Sequence, residues 1–512
     1  MNKRKKIIIV GGGISGLSAG ISALQQGFEP LIIEKNPNLG GMCVSWKRKG
    51  FELDGCIHWI TGTKKGTQLY DMWKSIGAFN DDEIYQLPGW GVVDYEGTAV
   101  PFYSDLIKAE EAWIKISPED SKRIKKFFKT VKAYIDVELP TESPQVYLSF
   151  RTLFKFVFKL LKHFPSYEYG LFASCDKYAK KFKHPALRYA ITHIQPGKGN
   201  LYSMIFSYAN VASGNGGNIY GGSNKFTANI VKRYEELGGQ YLLNSPVKSI
   251  NLKHRRATGV TLDNGEVISG DYVVTCCDAN YALMKLLKGK YPVYRLARRY
   301  NKPKKHPAPS CILLHFAVED MVDVGSPYNF SIENFSIGGY KVDHINMRSL
   351  GYDPLYVKGN KTVVQVMIDQ YSKHYDYWKN LYKNKEFYNL VKETIAKMVI
   401  VNIEKKFPSL TGKITVLDVA TPVTFNRYVN ASRGSYMGFL YTSKSPALMI
   451  SGKVPFVRKL YLAGQYVQCP GGLPLAMVSG NHAIQRIRYK ENHLIQRYFL
   501  RHRLKVKEHK GE

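Results

Sequence analysis

The chain has 512 residues and a mass of 58.2 kDa, and its 73 Lys and Arg against 41 Asp and Glu give a formal charge of +32 and a pI near 9.6. With 44% hydrophobic and 22% charged residues it is too apolar for a disordered chain, so the charge must sit on a folded surface. Its 44 glycines have no period and its seven cysteines form no CxxC pair, which excludes collagen and a disulfide scaffold and points to a reduced compartment such as a cytoplasm.

The basic start, Met1 to Lys6, imitates the n-region of a signal peptide, but glycines replace the apolar h-region after Val10. Ile7-Ile8-Ile9-Val10 reads as a short buried parallel strand. Gly11-Gly12-Gly13-Ile14-Ser15-Gly16 follows at once. A helix from Leu17 to Gln26 and a second strand from Glu29 to Ile33 come next, closed by Glu34. This is the order of a dinucleotide-binding unit. Gly11 permits the tight turn, Gly13 lets backbone approach a pyrophosphate, and Gly16 lets the helix pack on the strand. The helix start around Ile14 and Ser15 offers N–H groups and partial positive charge to phosphates. Glu34, 18 residues after Gly16, supplies a carboxylate for ribose hydroxyls.

Glu34-Lys35-Asn36-Pro37-Asn38-Leu39-Gly40-Gly41-Met42-Cys43 adds a Gly-Gly pair soon after the acid. Gly50-Phe51-Glu52-Leu53-Asp54-Gly55-Cys56-Ile57-His58-Trp59-Ile60 then shows an F-D-x-G-I-H-like pattern. Here the chain resembles the FAD-dependent phytoene desaturase, carotenoid isomerase and retinol saturase superfamily. The resemblance implies FAD, with the loop at Lys35, Gly40, Gly41 and Met42 on its flavin side and Ile57 and His58 beside the ring. Cys56 stands where the family carries Gly. His58 has two readings: a polar group facing flavin or substrate, or a core histidine satisfied by backbone.

Further along, Arg151, Lys155, Lys159 and Lys162 fall on one helical face, and Leu153, Phe154, Phe156, Val157, Phe158, Leu160, Leu161 and Phe164 fill the rest. Residues 151–164 read as a basic amphipathic helix. It is either interfacial on a membrane or a packed lid helix with a solvated stripe. Tyr220-Gly221-Gly222-Ser223 precedes a helix from Thr227 to Leu237 ended by Gly238-Gly239. A hairpin turns at Asp263-Asn264-Gly265, and Asp271 to Thr275 reads as a strand. This resembles the block completing the family's FAD domain, which implies that backbone at Val247 holds the adenine. Arg458 to Gln465 reads as a strand, and Pro470-Gly471-Gly472-Leu473-Pro474-Leu475-Ala476 opens a helix through Ile487. The resemblance places Gly464, Gln465, Gly472, Leu473 and Ala476 on the ribityl and pyrimidine end, with Gln465 where relatives often carry Asp. Weaker matches near Ser117 and Ala420 extend it nearly end to end.

The expected fold is α/β: a Rossmann-type FAD-binding domain (1–95, 215–290, 415–490), a parallel sheet with helices, interleaved with a discontinuous α+β substrate domain (95–215, 290–415). A basic tail, 491–512, follows. No second GxGxxG follows a strand, so an external electron donor or acceptor is implied. No metal-ligand spacing and no Ser/His/Asp set is read. His58 and Tyr220 are the candidate catalytic helpers, by the resemblance. The expected function is FAD-dependent saturation, desaturation or isomerisation of a carbon–carbon bond in a long apolar lipid, carotenoid, retinoid or other isoprenoid-like. The alternatives are a flavin amine oxidase on a soluble amine and a non-catalytic FAD-binding protein. No nucleic-acid motif is found. The charge is read as compositional Lys bias plus an anionic membrane surface, on a cytoplasmic protein peripheral to a membrane.

Overall fold

The computed structural model describes residues 4–138, 141, 154, 173–195, 199–321, 327–442, 445 and 450–508, with side chains described only as far as residue 492 in the last helix. The expected amphipathic helix at 151–164 falls almost wholly outside the described residues. Five parallel strands form the first sheet, in the order Gln240–Leu242, Glu29–Ile33, Lys6–Val10, Tyr272–Thr275, Leu460–Leu462. Successive side chains of a strand face opposite ways, so Ile7 to Val10 serve two cores. Ile7 and Ile9 pack with Leu17, Ile21, Phe226, Ile230 and Ile484 on the helical side. Ile8 and Val10 pack with Val260, Leu262 and Ile268 on the other. Those residues belong to an antiparallel sheet, Val247–Lys253, Arg256–Leu262 and Val267–Ser269, whose last two strands are the expected hairpin.

The helix Ile14–Gln25 crosses the helix Leu473–Glu508 closely enough that a Cβ at Gly480 would lie 2.1 Å from the Ser15 carbonyl oxygen. The last helix thus runs past Ile487, where the sequence pattern ended it, into the basic tail. Among the described residues no helix is long and apolar enough to cross a membrane.

The second large sheet runs Ile414–Ala420, Pro309–Glu319, Lys361–Tyr371, Tyr340–Ser349, Tyr328–Ile337, Gly89–Tyr95, Thr98–Tyr103, antiparallel except where Tyr328–Ile337 meets Gly89–Tyr95. Strands Gly89–Tyr95 and Ile414–Ala420 join it, although the segment limits of 95 and 415 put most of the first strand with the dinucleotide unit and cut through the second. Alternation again assigns the faces. Ile312, Leu314, Phe316 and Val318 meet Ile395, Val399 and Ile403 of helix Lys385–Lys406. Cys311, Leu313 and His315 face the other way, toward the first sheet. Helices Ser121–Tyr134, Pro185–His193 and Leu201–Ala212 pack on the Gly89–Tyr103 hairpin around Trp113, Phe127 and Tyr208.

Candidate functional site

A cavity of about 720 Å³ runs between the two large sheets. At one end it is lined by backbone. Gly11 takes φ +103, conformational space that favours glycine, and turns the chain off its strand. A Cβ on Gly16 would lie 2.0 Å from the Gly11 carbonyl oxygen, so Gly16 is a packing residue and does not line the cavity. Gly40 (φ +121) folds the second glycine pair back: its N–H donates to the Gly12 carbonyl at 2.8 Å, and a Cβ on Gly41 would sit 3.1 Å from Gly13 Cα. The two glycine loops therefore lie backbone on backbone, and Gly13, Ile14, Ser15, Lys35, Gly40, Gly41 and Met42 line one wall.

Glu34 is buried and holds this wall together. Its Oε2 accepts from Gly12 N–H at 2.7 Å and its Oε1 from Asn36 N–H at 2.9 Å. Glu34 also lines the cavity. The Ser15 hydroxyl is buried beside the Cys276 thiol and has no nitrogen or oxygen partner among the described residues, in the first turn of a helix with no acidic residue there. An orphaned hydroxyl beside free helix N–H groups fits a phosphate. Val247 lines the same end, with Ser245 donating N–H to the Glu34 carbonyl at 2.9 Å. Half-burial pulls the Lys35 amine below its usual range, while Glu34 raises it. Asp278, also lining the cavity, is raised to about 6 by burial despite accepting N–H groups of Ser432 and Tyr281.

A second helix points its N-terminus at the cavity. Gly464 (φ +106) donates N–H to Ser479 Oγ at 2.7 Å, and Gly472 (φ +84) starts the helix carrying Leu473 and Ala476. Gly464, Gln465, Gly472, Leu473 and Ala476 all line the cavity. Two helix N-termini and two interleaved glycine loops suit a long anionic dinucleotide, so the residues fit the expected FAD.

Between the ends lies the loop 54–58, and Asp54 pins it. Its Oδ1 accepts from Cys56 N–H (2.8 Å), Ile57 N–H (3.1 Å) and Ser223 Oγ (2.8 Å), and its Oδ2 from Ser223 N–H (2.7 Å) and the Tyr356 hydroxyl (3.1 Å). Its carbonyl accepts from Gln365 Nε2 at 2.7 Å and lies 2.9 Å from His315 Nε2. Those two side chains belong to a row of direct cross-strand neighbours in the second sheet, Arg348, Gln365, His315 and Asp418. Arg348 ends the row, donating from Nε to Gln365 Oε1 at 2.7 Å and from Nη1 to the Ile57 carbonyl at 2.8 Å. The motif pattern quoted Asp54 without assigning it this work, and it did not reach Arg348.

His58 lines the cavity beside this loop. Its side chain has no hydrogen-bond partner among the described residues, so the backbone-satisfied reading finds no support. Burial, then Arg348 and His315, hold its pKa well below the usual imidazole range, so it is neutral. Cys56 sits against Cys43, and that contact together with burial raises its thiol pKa well above the ordinary value, so it is an inert thiol. Tyr220 lies outside the cavity. Gly221 (φ +83) turns the chain so that Ser223 reaches Asp54, while Tyr220 packs with Tyr85 and Tyr352. The far end is mostly apolar, with Trp90, Phe206, Leu313, Met367, Tyr436 and Leu440. No metal spacing was legible in the sequence. The fold brings ligand atoms of His193, Asp343 and His344 within 4.8 Å of one another, outside the cavity lining.

Residues 14–488 match the family model described as flavin containing amine oxidoreductase. A 4,4'-diaponeurosporene oxygenase of Staphylococcus aureus is 23% identical over 95% of this chain and 99% of its own length. The crystal structure of an oxidoreductase from Methanosarcina mazei is similar with a TM-score of 0.60 at 14% identity, covering 94% of this chain and 100% of that one. A putrescine oxidase variant from a redesign of cofactor binding gives 0.54 at 14% identity, covering 95% and 99%.

Proposed function

The chain belongs to the flavin containing amine oxidoreductase family and uses FAD, and from that premise we propose that it oxidises or reduces carbon centres of a long apolar, carotenoid-like lipid. One observation carries this reading. The cavity continues from the dinucleotide end into an apolar chamber whose only deeply buried charge, among the described residues, is the cation Arg348. A protonated amine would meet a like charge in low dielectric there, whereas a polyene would meet Trp90, Phe206, Leu313 and Met367. The name of the Staphylococcus aureus relative agrees, since it is that of a carotenoid oxygenase.

Bound FAD supplies hydride or electron transfer. This chain's residues bind and orient. The start of helix Ile14–Gln25 and Ser15 hold the pyrophosphate, Glu34 the ribose, Val247 the adenine, and Gly464 to Ala476 the ribityl and ring end. Asp54 fixes loop 54–58 against the ring, and neutral His58 offers one hydrogen bond inside the chamber. We keep the two units as interleaved domains and the electron partner as external. The basic end of the last helix, running to Glu508, is assigned to an anionic lipid surface, and binding to anionic vesicles should weaken sharply with salt.

The test is direct. Purified protein should carry flavin absorbance near about 450 nm and, in detergent or vesicles, convert acyclic polyenes to products of altered mass or geometry. Putrescine and other amines should leave the flavin oxidised. Rapid flavin reduction by an amine, with polyenes untouched, would replace this reading by the amine oxidase one.

A further inference from the structure

The cavity face of the second sheet carries a polar site that cofactor binding does not use. Arg348 is 6% exposed and Asn329 is 2% exposed. Asn329 is the direct cross-strand neighbour of Asn346, and Asn346 lies two residues before Arg348, so all three side chains share one face. All three line the cavity, beside the apolar Leu313 and Met367.

Burying a guanidinium is unfavourable unless its donors and its charge are both answered. Here two of its nitrogens are answered by neutral oxygens, Gln365 Oε1 and the Ile57 carbonyl. Among the described residues its Nη2 has no partner and Arg348 makes no ion pair. Asp54 does most to favour its charge, while the oxygens of that carboxylate are taken by five other hydrogen bonds and make none to the guanidinium. Asn329 Oδ1 is likewise buried without a partner among the described residues. A flip of that amide presents either a donor or an acceptor. A guanidinium with an unanswered Nη2 and an unsatisfied amide therefore border the same cavity, at the edge of its apolar chamber and next to the loop that carries His58.

We propose that Arg348 and Asn329, with Asn346 beside them, bind an oxygen-bearing end group, carboxylate or carbonyl, on the apolar chain that occupies the chamber. The apolar chain rests on the function proposed above, whereas the oxygen acceptor rests on Arg348 and Asn329 alone. A guanidinium donates to such an oxygen with a strong charge-assisted hydrogen bond, while a hydrocarbon terminus leaves both groups unsatisfied. The site thus favours substrates or products already oxygenated at one end.

The experiment compares hexadecanoate, hexadecanal and hexadecane, each titrated in the same detergent into the FAD-loaded protein, with the change in flavin absorbance as readout. The oxygenated probes should bind at least about tenfold more tightly than the alkane, the size of one charged hydrogen bond. Arg348→Met, assayed on the fraction that retains flavin, should erase that preference with alkane affinity unchanged, and Arg348→Lys should keep part of it for the carboxylate. Asn329→Asp places a counter-charge beside the guanidinium and should also erase the preference for hexadecanoate, which decides the matter if Arg348→Met does not fold. Equal binding of the three probes to the unmodified protein overturns the proposal. So does a preference that survives Arg348→Met while the flavin reduction potential shifts, which would assign the guanidinium to the cofactor. Failure to turn over polyenes would sink the proposed function and leave this binding preference standing, so the two failures are distinguishable.

Discussion

The dinucleotide end of the cavity is made of backbone, and the far end is made of side chains. At the first, glycine loops lie on each other and two helices present N–H groups, so a small change of shape is a large change of fit. At the second, the groups that matter sit on four strands far apart in sequence, held by one cross-strand row from Arg348 to Asp418. The first end has little room for substitution and the second can be retuned residue by residue. That difference is one physical basis for a fold that keeps a cofactor while its substrate changes.

The largest expected effect tests the backbone end. Gly16→Ala places a Cβ against the Gly11 carbonyl, where no flexible side chain can give way. It should cost about 3 kcal/mol or more and strip the flavin, read as the flavin-to-protein absorbance ratio. Gly27→Ala is the control: its φ of +79 is strained, but nothing lies within 4 Å, so about 1 kcal/mol is expected and flavin should stay. Next comes the joint between the ends. Asp54→Asn turns a carboxylate that accepts five hydrogen bonds into an amide with two donors facing N–H groups. Urea unfolding should show a loss of about 3 kcal/mol.

Smaller effects separate the two ends more finely. Ser15→Ala should weaken FAD about tenfold, measured by titration of the apoprotein, with its melting temperature unchanged. The ends should also titrate with opposite sign. His315 is held at about 4 by burial, so between that value and an unfolded pKa of about 6.5 only the unfolded chain takes a proton, and stability falls as pH drops through this window. Asp278, raised to about 6, keeps its proton in the native state above an unfolded pKa of about 3.9, so its contribution is lost as pH rises toward 6. His315→Gln should flatten the first slope and Asp278→Asn the second, in melting temperatures taken across pH 4 to 7; if neither moves a slope, burial does not govern these groups. The smallest effect belongs to Tyr220→Phe. Its ring lies outside the cavity, so steady-state rates should not change beyond error.

The same division explains what could be read from the residues. Gly11 to Gly16, Glu34, and Gly40-Gly41 are local patterns whose spacing has one sensible geometry, and the structure lays Gly11, Gly13, Glu34, Gly40 and Gly41 along one wall with Gly16 packed behind it. The turn at Asp263-Asn264-Gly265 was equally local, and its two strands pair as read. Asp54 was visible inside a motif, but its ties run to Ser223, Tyr356 and Gln365, and no local pattern records partners that distant. Arg348 was invisible for the same reason. Tyr220 was a candidate only by the resemblance; the left-handed turn at Gly221 aims Ser223 at Asp54 and leaves Tyr220 with Tyr85 and Tyr352, outside the cavity. The last helix ran on because no Gly or Pro interrupts it after Gly480.

One contact has a bearing on how the protein is made. The first helix is packed against Gly480, and the central strand Lys6–Val10 lies between strands that begin at Glu29 and Tyr272, with the sheet closed only by Leu460–Leu462. During translation the nucleotide unit therefore cannot close until its last helix has left the ribosome. For most of synthesis the Ile7 to Val10 strand is an exposed apolar edge, a template for wrong pairing. Nascent-chain arrest at any point before Leu460 should yield a protein that chaperones hold and FAD cannot rescue.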